Sequence, residues 1–139
     1  MAPLICDGVL DAWRSFLTAH ARLTEAVDQR LTGAGCVSLG TFDVLLSVHE
    51  ACDHRSRMHE LADHVVLSRS GLTRLVDRLE ADGLLRRERC PNDRRGAFAV
   101  LTDDGERALQ AAWPVYAAAV RELFGGAFGQ GDDDARRFA

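Results

Sequence analysis

The feature that most restricts this chain is the spacing of two short amphipathic segments near its middle. Residues 58–65 place Leu61, Ala62 and Val65 on one side. Ser68 then stands where a helix N-cap belongs, and Leu72, Leu75, Val76 and Leu79 follow at steps of three and four towards Asp82. That is the period of a helix with one buried face, and Gly83 supplies its stop. Two helices joined by about three residues cannot continue in line, so they meet at a corner, a helix-turn-helix.

Downstream the period changes. Leu84–Cys90 and Ala97–Leu101 read as short strands joined by Pro91-Asn92-Asp93-Arg94-Arg95-Gly96, a segment rich in turn formers. Thr102 caps a long helix whose first turn holds Asp103, Asp104 and Glu106, the favourable sign at that end. Its apolar row runs through Leu109, Ala112, Trp113, Tyr116, Val120, Leu123 and Phe124. Pro114 predicts a kink within it. Gly125, Gly126, Gly129 and Gly131 predict its end, and Asp132 opens a further helical start. Upstream, residues 9–31 form a wide helical stripe through Val9, Trp13, Phe16, Leu23 and Val27, with Leu10, Leu17 and Leu31 beside it. Gly33 and Gly35 end that helix. Ser38 caps the next, which carries Leu39, Phe42, Leu45, Leu46 and Val48, and polar Ala51–Arg57 reads as a loop. The whole is mainly α with a small β-hairpin wing: a winged helix-turn-helix flanked by long helices.

Several classes fall away. No apolar run approaches the ~20 residues of a membrane span, and Met1–Leu10 lacks the layout of a signal peptide. Cys6, Cys36, Cys52 and Cys90 are too sparse for a disulfide scaffold, so free thiols and a cytoplasmic setting are expected. There is no Gly-rich phosphate loop and no nucleophile elbow, hence no enzyme and no cofactor is expected. His49, Cys52, His54, His59 and His64 have zinc-ligand chemistry. Cys52 and His54 fall in a loop, however, and His59 and His64, five apart, share no helix face, so no metal is expected.

Charge carries the functional argument. The 139 residues hold 17 basic side chains, all arginine, against 21 acidic ones, a net −4 that on average disfavours nucleic acid. Residues 69–95 differ, with eight arginines against five acids, a local +3 that leaves −7 for the remainder. Opposite the apolar row of the second helix lie Arg69, Ser70, Thr73, Arg74, Asp77 and Arg78. Short Ser70 and Thr73 let a backbone approach base edges, and arginine reaches guanine with two hydrogen bonds. Ser68 and the helix N-terminus suit a phosphate.

Residues 58–105 resemble the DNA-binding lobe of the MarR family of bacterial transcription regulators. The runs that match are Leu61-Ala62-Asp63-His64, Leu67 through Glu80, Gly83-Leu84-Leu85-Arg86-Arg87, Pro91 through Gly96, and Leu101 through Gly105. The resemblance implies a homodimer, with residues 1–37 and 106–139 as dimerisation helices around a lobe of residues 38–105. It implies recognition helices in successive major grooves of a pseudo-palindromic double-stranded operator, and wings in the adjacent minor grooves. It implies a regulator, often a repressor, whose DNA affinity changes with a small phenolic or aromatic ligand, with thiol oxidation, or less often with zinc. Asp93 and Arg95 match a family Asp-x-Arg motif that pairs to shape the wing. Arg94 is the candidate for minor-groove insertion, with Arg95 the alternative. The family's ligand cleft lies between the dimer helices and the lobe, and Trp13, Arg14, His20, Phe42 and His64 are candidates to line it. Cys6 resembles the sensing thiol of the organic-hydroperoxide branch, although the tyrosines that hold such a thiol reduce here to Tyr116.

Overall fold

The computed structural model describes residues 8–65 and 69–128, with the backbone alone at 69, 93–95, 127 and 128. In chain order it forms α1 (Gly8–Gly33), α2 (Leu39–Glu50), a 3₁₀ turn (Cys52–His54), β1 (Arg55–Arg57), α3 (Met58–His64), α4 (Arg69–Ala81), β2 (Leu85–Cys90), β3 (Asp93–Leu101) and α5 (Asp103–Phe128). Strands order β1-β3-β2 in one antiparallel sheet.

The caps sit where the sequence placed them. Gly35 takes φ +74°, and Cys36 N–H returns to the Leu31 carbonyl at 2.9 Å, satisfying an orphan acceptor of α1. Thr41 N–H donates to Ser38 Oγ at 3.3 Å, and Leu39 N–H donates to Asp28 Oδ1 at 2.7 Å. The start of α2 is therefore held by its own cap and by a carboxylate from α1. Gly83, at φ +75°, ends α4, with Leu84 N–H on the Leu79 carbonyl at 2.8 Å.

The core gathers under α2 and α4. Phe42, Val44, Leu45 and Val48 are fully buried, as are Leu31, Leu61 and Val76, and Leu72, Leu79 and Leu85 nearly so. α1 is different: it buries only Val27 and Leu31, and its first half presents apolar side chains outward.

Three expectations need correction. The segment Ala51–Arg57 is not simply a loop, because Arg55, Ser56 and Arg57 pair with Val100, Ala99 and Phe98 of β3. The wing is thus the outer part of a three-stranded sheet. Only Ser56 of β1 faces inward, while the flanking guanidinium groups lie over the Phe98 ring at 4.7 and 5.5 Å. A polar residue on the inner face removes the apolar alternation by which a strand is read. Next, β3 begins at Asp93 rather than Ala97, so Pro91 and Asn92 alone form the turn. Cys90 pairs with Asp93 and Arg89 with Ala97, a register irregularity that places Arg94, Arg95 and Gly96 between two partnered positions of β3. Finally, α5, with Pro114 inside it, does not stop at Gly125 and Gly126 but runs to Phe128. Glycine costs a helix only about 1 kcal/mol, too little to end a helix that has begun well.

α2 and α5 are joined at their ends by a polar contact. His49 Nδ1 donates to Glu106 Oε2 at 2.8 Å, and His54 stacks on His49 at 4.8 Å while its Nδ1 donates to the His49 carbonyl at 2.7 Å. Burial pushes the Glu106 carboxyl up, but the hydrogen bonds from His49 and Gln110 and the nearby imidazoles outweigh that and hold it below its ordinary value. A carboxyl depressed in the folded state adds stability above its unfolded pKa and loses it as pH falls through the folded one. Glu106→Gln should therefore lower stability by about 0.5 kcal/mol at neutral pH, the scale of a half-exposed pair. Urea denaturation of both proteins should show that gap closing below about pH 4.

Candidate nucleic-acid interface

α4 divides cleanly into two faces. Leu72, Leu75, Val76 and Leu79 are buried, and Ser70, Thr73, Arg74, Asp77 and Arg78 are exposed on the other side. The acids of that outer region are taken up by one strand. Arg87 of β2 reaches Asp77 Oδ1 at 2.6 Å and Glu80 Oε2 at 3.0 Å. On the same strand Glu88 is held by Arg86 at 2.8 Å and faced by Arg55 at 3.8 Å. Arg74, Arg78 and Arg89 enter no ion pair among the described residues. The surface shared by helix and sheet thus offers uncompensated guanidinium groups, the donors that phosphates and guanine edges accept.

The root of this surface is fixed by Thr102. Its hydroxyl donates to the Gly83 carbonyl at 2.6 Å and accepts from Gly105 N–H at 3.0 Å, while Thr102 N–H donates to the Leu84 carbonyl at 3.3 Å. The end of α4 and the start of α5 therefore form one joint.

A second concave feature lies between α1, α2 and α5. A cavity of about 390 Å³ is walled by Phe16, Leu23, Tyr116 and Leu123, and it adjoins another of about 700 Å³ that reaches His64. His20, Thr24 and Asp43 border both. Asp43 is half-buried, and burial raises its carboxyl above the ordinary value. Burial likewise raises the Tyr116 hydroxyl, helped by the Asp43 charge.

The sequence profile of the MarR family matches residues 37–96. A MarR family transcriptional regulator from Streptomyces coelicolor, solved in complex with DNA, superposes with a TM-score of 0.82 at 32% identity, over 96% of this chain and 82% of that one. The chain belongs to the MarR family. AbsC, a second MarR family regulator from Streptomyces coelicolor, gives a TM-score of 0.82 at 31% identity, over 98% of this chain and 90% of its own. The transcriptional repressor YetL of Bacillus subtilis is 28% identical over 77% of this chain. This chain spans between 46% and 64% of the length of such curated relatives.

Within this MarR-family fold the candidate residues separate. Ser70, Thr73, Arg74 and Arg78 share one exposed face. Ser68 and Cys6 lie outside the described residues, as does the helical start at Asp132, and so do the side chains of Arg69, Asp93, Arg94 and Arg95. Of the cleft candidates, His20 and His64 border one cavity. Phe42 instead sits in the core, stacked on Tyr116 with centroids 4.3 Å apart. Trp13 is exposed and stacks on Phe16, and Arg14 borders neither cavity. Asp43 and Tyr116 were missed. The trace of Asp43 is an acid placed four residues after Leu39 and three before Leu46, inside the apolar row of α2. Among the described residues no three His, Cys, Asp or Glu side chains are placed to hold a metal, and no helix is long and apolar enough to cross a membrane.

Proposed function

We propose that this protein is a sequence-specific, double-stranded-DNA-binding transcriptional repressor acting as a homodimer, with an affinity set by a small aromatic effector. The observation that carries this is the outer face of α4, where Arg87 occupies Asp77 and Glu80 and leaves Arg74 and Arg78 uncompensated. Residues 38–105 are the DNA-reading lobe. α4 enters the major groove, and the β2–β3 turn brings Arg94 or Arg95 to the minor groove. The DNA-bound relative and the repressor relative support the same assignment.

Dimerisation is supported by what the single chain leaves uncovered. Val9, Trp13 and Phe16 of α1 are 74%, 56% and 59% exposed, with Leu10, Leu17, Trp113 and Phe124 also open. Large apolar groups gathered on two neighbouring helices mark a protein interface rather than a solvated surface. Covering them with a second copy, through residues 1–37 and 106–139, sets the distance between two recognition helices, which must match one turn of DNA. An effector changes affinity only by favouring one such distance over another.

The test is selection of bound fragments from genomic DNA, followed by fluorescence anisotropy across a salt series. Nanomolar binding with a steep salt slope is expected; no binding to any fragment at low salt overturns the proposal. Arg94→Ala should weaken binding to all fragments and flatten the slope of log affinity against log salt by about two counter-ions per dimer. An unchanged slope assigns the groove contact elsewhere.

A further inference from the structure

The narrower cavity between α1, α2 and α5 is largely apolar, and among the described residues Asp43 is its one carboxylate. Asp43 borders both cavities of this cleft, and among the described residues no arginine lines either. The other acids on the wider cavity are engaged: Asp28 accepts from Leu39 N–H at 2.7 Å, and Glu25 accepts from Gln29 at 3.5 Å. The Asp43 carboxylate takes part in no hydrogen bond or ion pair among the described residues. Its neighbours across the cleft are His20 and Thr24 of α1 and Tyr116 of α5, none of them a fixed positive charge.

We infer that this cleft takes an aromatic cation, an amine or quaternary ammonium whose positive centre rests against Asp43 while its rings lie among Leu23, Tyr116 and Leu123. The inference rests on the effector reading above and names the chemistry of the effector. A cavity of about 390 Å³ is the size of a small-molecule site. In walls of low polarity the attraction between a cation and a half-buried carboxylate is weakly screened, and aromatic faces add to it. An aromatic carboxylate meets the opposite field: it would stand beside Asp43 with no guanidinium to receive it, a like-charge pair in the same walls. The same burial raises the Asp43 carboxyl above its ordinary value.

The experiment is calorimetry on the DNA-free chain with three probes of one shape: (2-naphthylmethyl)trimethylammonium, neutral 2-naphthylmethanol and 2-naphthoate. The cation is expected to bind at least about tenfold more tightly than naphthoate. Asp43→Asn, which keeps the shape of the side chain, should cost the cation about tenfold and change the neutral alcohol by less than about twofold. Naphthoate binding as tightly as the cation, an undiminished cation affinity in Asp43→Asn, or no cation binding each overturns the inference. Because no DNA is present, a failure of DNA binding leaves these results standing. Conversely, naphthoate that binds and releases DNA keeps the effector reading and removes only the cation.

Discussion

Gly105→Ala is expected to lower the thermal midpoint by about 7 °C, although alanine is the better helix former. A Cβ at Gly105 would stand 2.1 Å from the Leu84 carbonyl oxygen, 2.8 Å from Leu101 Cδ1 and 3.1 Å from the Leu84 carbonyl carbon. Leu101 can turn aside, but the Leu84 carbonyl is main chain and already accepts Thr102 N–H. Relief therefore requires α5 to move off the start of β2, at the joint where Thr102 bridges Gly83 and Gly105. Forced overpacking costs about 3 kcal/mol when backbone must yield, against a helix-propensity gain of about 1 kcal/mol at most. For a chain of this length the net of about 2 kcal/mol corresponds to about 7 °C. Gly125 and Gly126 provide the control within the same helix. Nothing lies within 4 Å of a Cβ at either, so alanine there should raise the midpoint slightly through propensity and a less free unfolded chain. Differential scanning calorimetry of the three variants checks the contrast. A Gly105→Ala protein as stable as the parent would mean the joint is slack.

That joint also shows where the sequence was legible and where it was not. Local rules reached the caps of α1, α2, α4 and α5 and the two faces of α4. The stops at Gly35 and Gly83 follow from left-handed backbone, the Ser38 and Thr102 caps from orphan N–H groups, and the two faces of α4 from a period of 3.6. Features settled across the fold were hidden. β1 carries its one inward residue as Ser56, which no hydropathy pattern marks. The extended backbone of Asp93–Gly96 looks like loop because those four residues, Asp93, Arg94, Arg95 and Gly96, carry no apolar side chain. Counting charge by segment found the basic lobe, yet it set Asp77 and Glu80 simply against the arginines. Their neutralisation depends on Arg87, seven or more residues along the chain on a different element. Asp43 was passed over for a related reason: on a row read for its apolar members, the one acid is the informative residue.

Arg74→Ala should reduce operator affinity by about 30-fold to 10⁴-fold, the largest loss expected from a single exposed side chain. A bidentate arginine–guanine contact discriminates by about 1–3 kcal/mol, and a two-fold dimer loses it in both half-sites, about 2–6 kcal/mol together. Arg74 lies in the first half of α4, the part of a recognition helix that comes nearest the base edges. In the proposed docking Arg78, one turn further on, meets phosphate, so Arg78→Ala should weaken all sequences alike and lower the salt slope. The two outcomes separate on randomised operators: loss of preference at one base pair per half-site for Arg74, uniform weakening for Arg78. Arg87 adds a third arm to the argument. Its removal frees Asp77 and Glu80 beside the same groove, so Arg87→Ala should weaken binding even if Arg87 touches no DNA. Adding Asp77→Asn should restore part of that loss, because the repulsion is then removed at its source. Arg74→Ala within about twofold of the parent on its selected operator would place base reading on another face. Arg87→Ala that Asp77→Asn does not relieve would make Arg87 itself a DNA contact rather than a guard for α4.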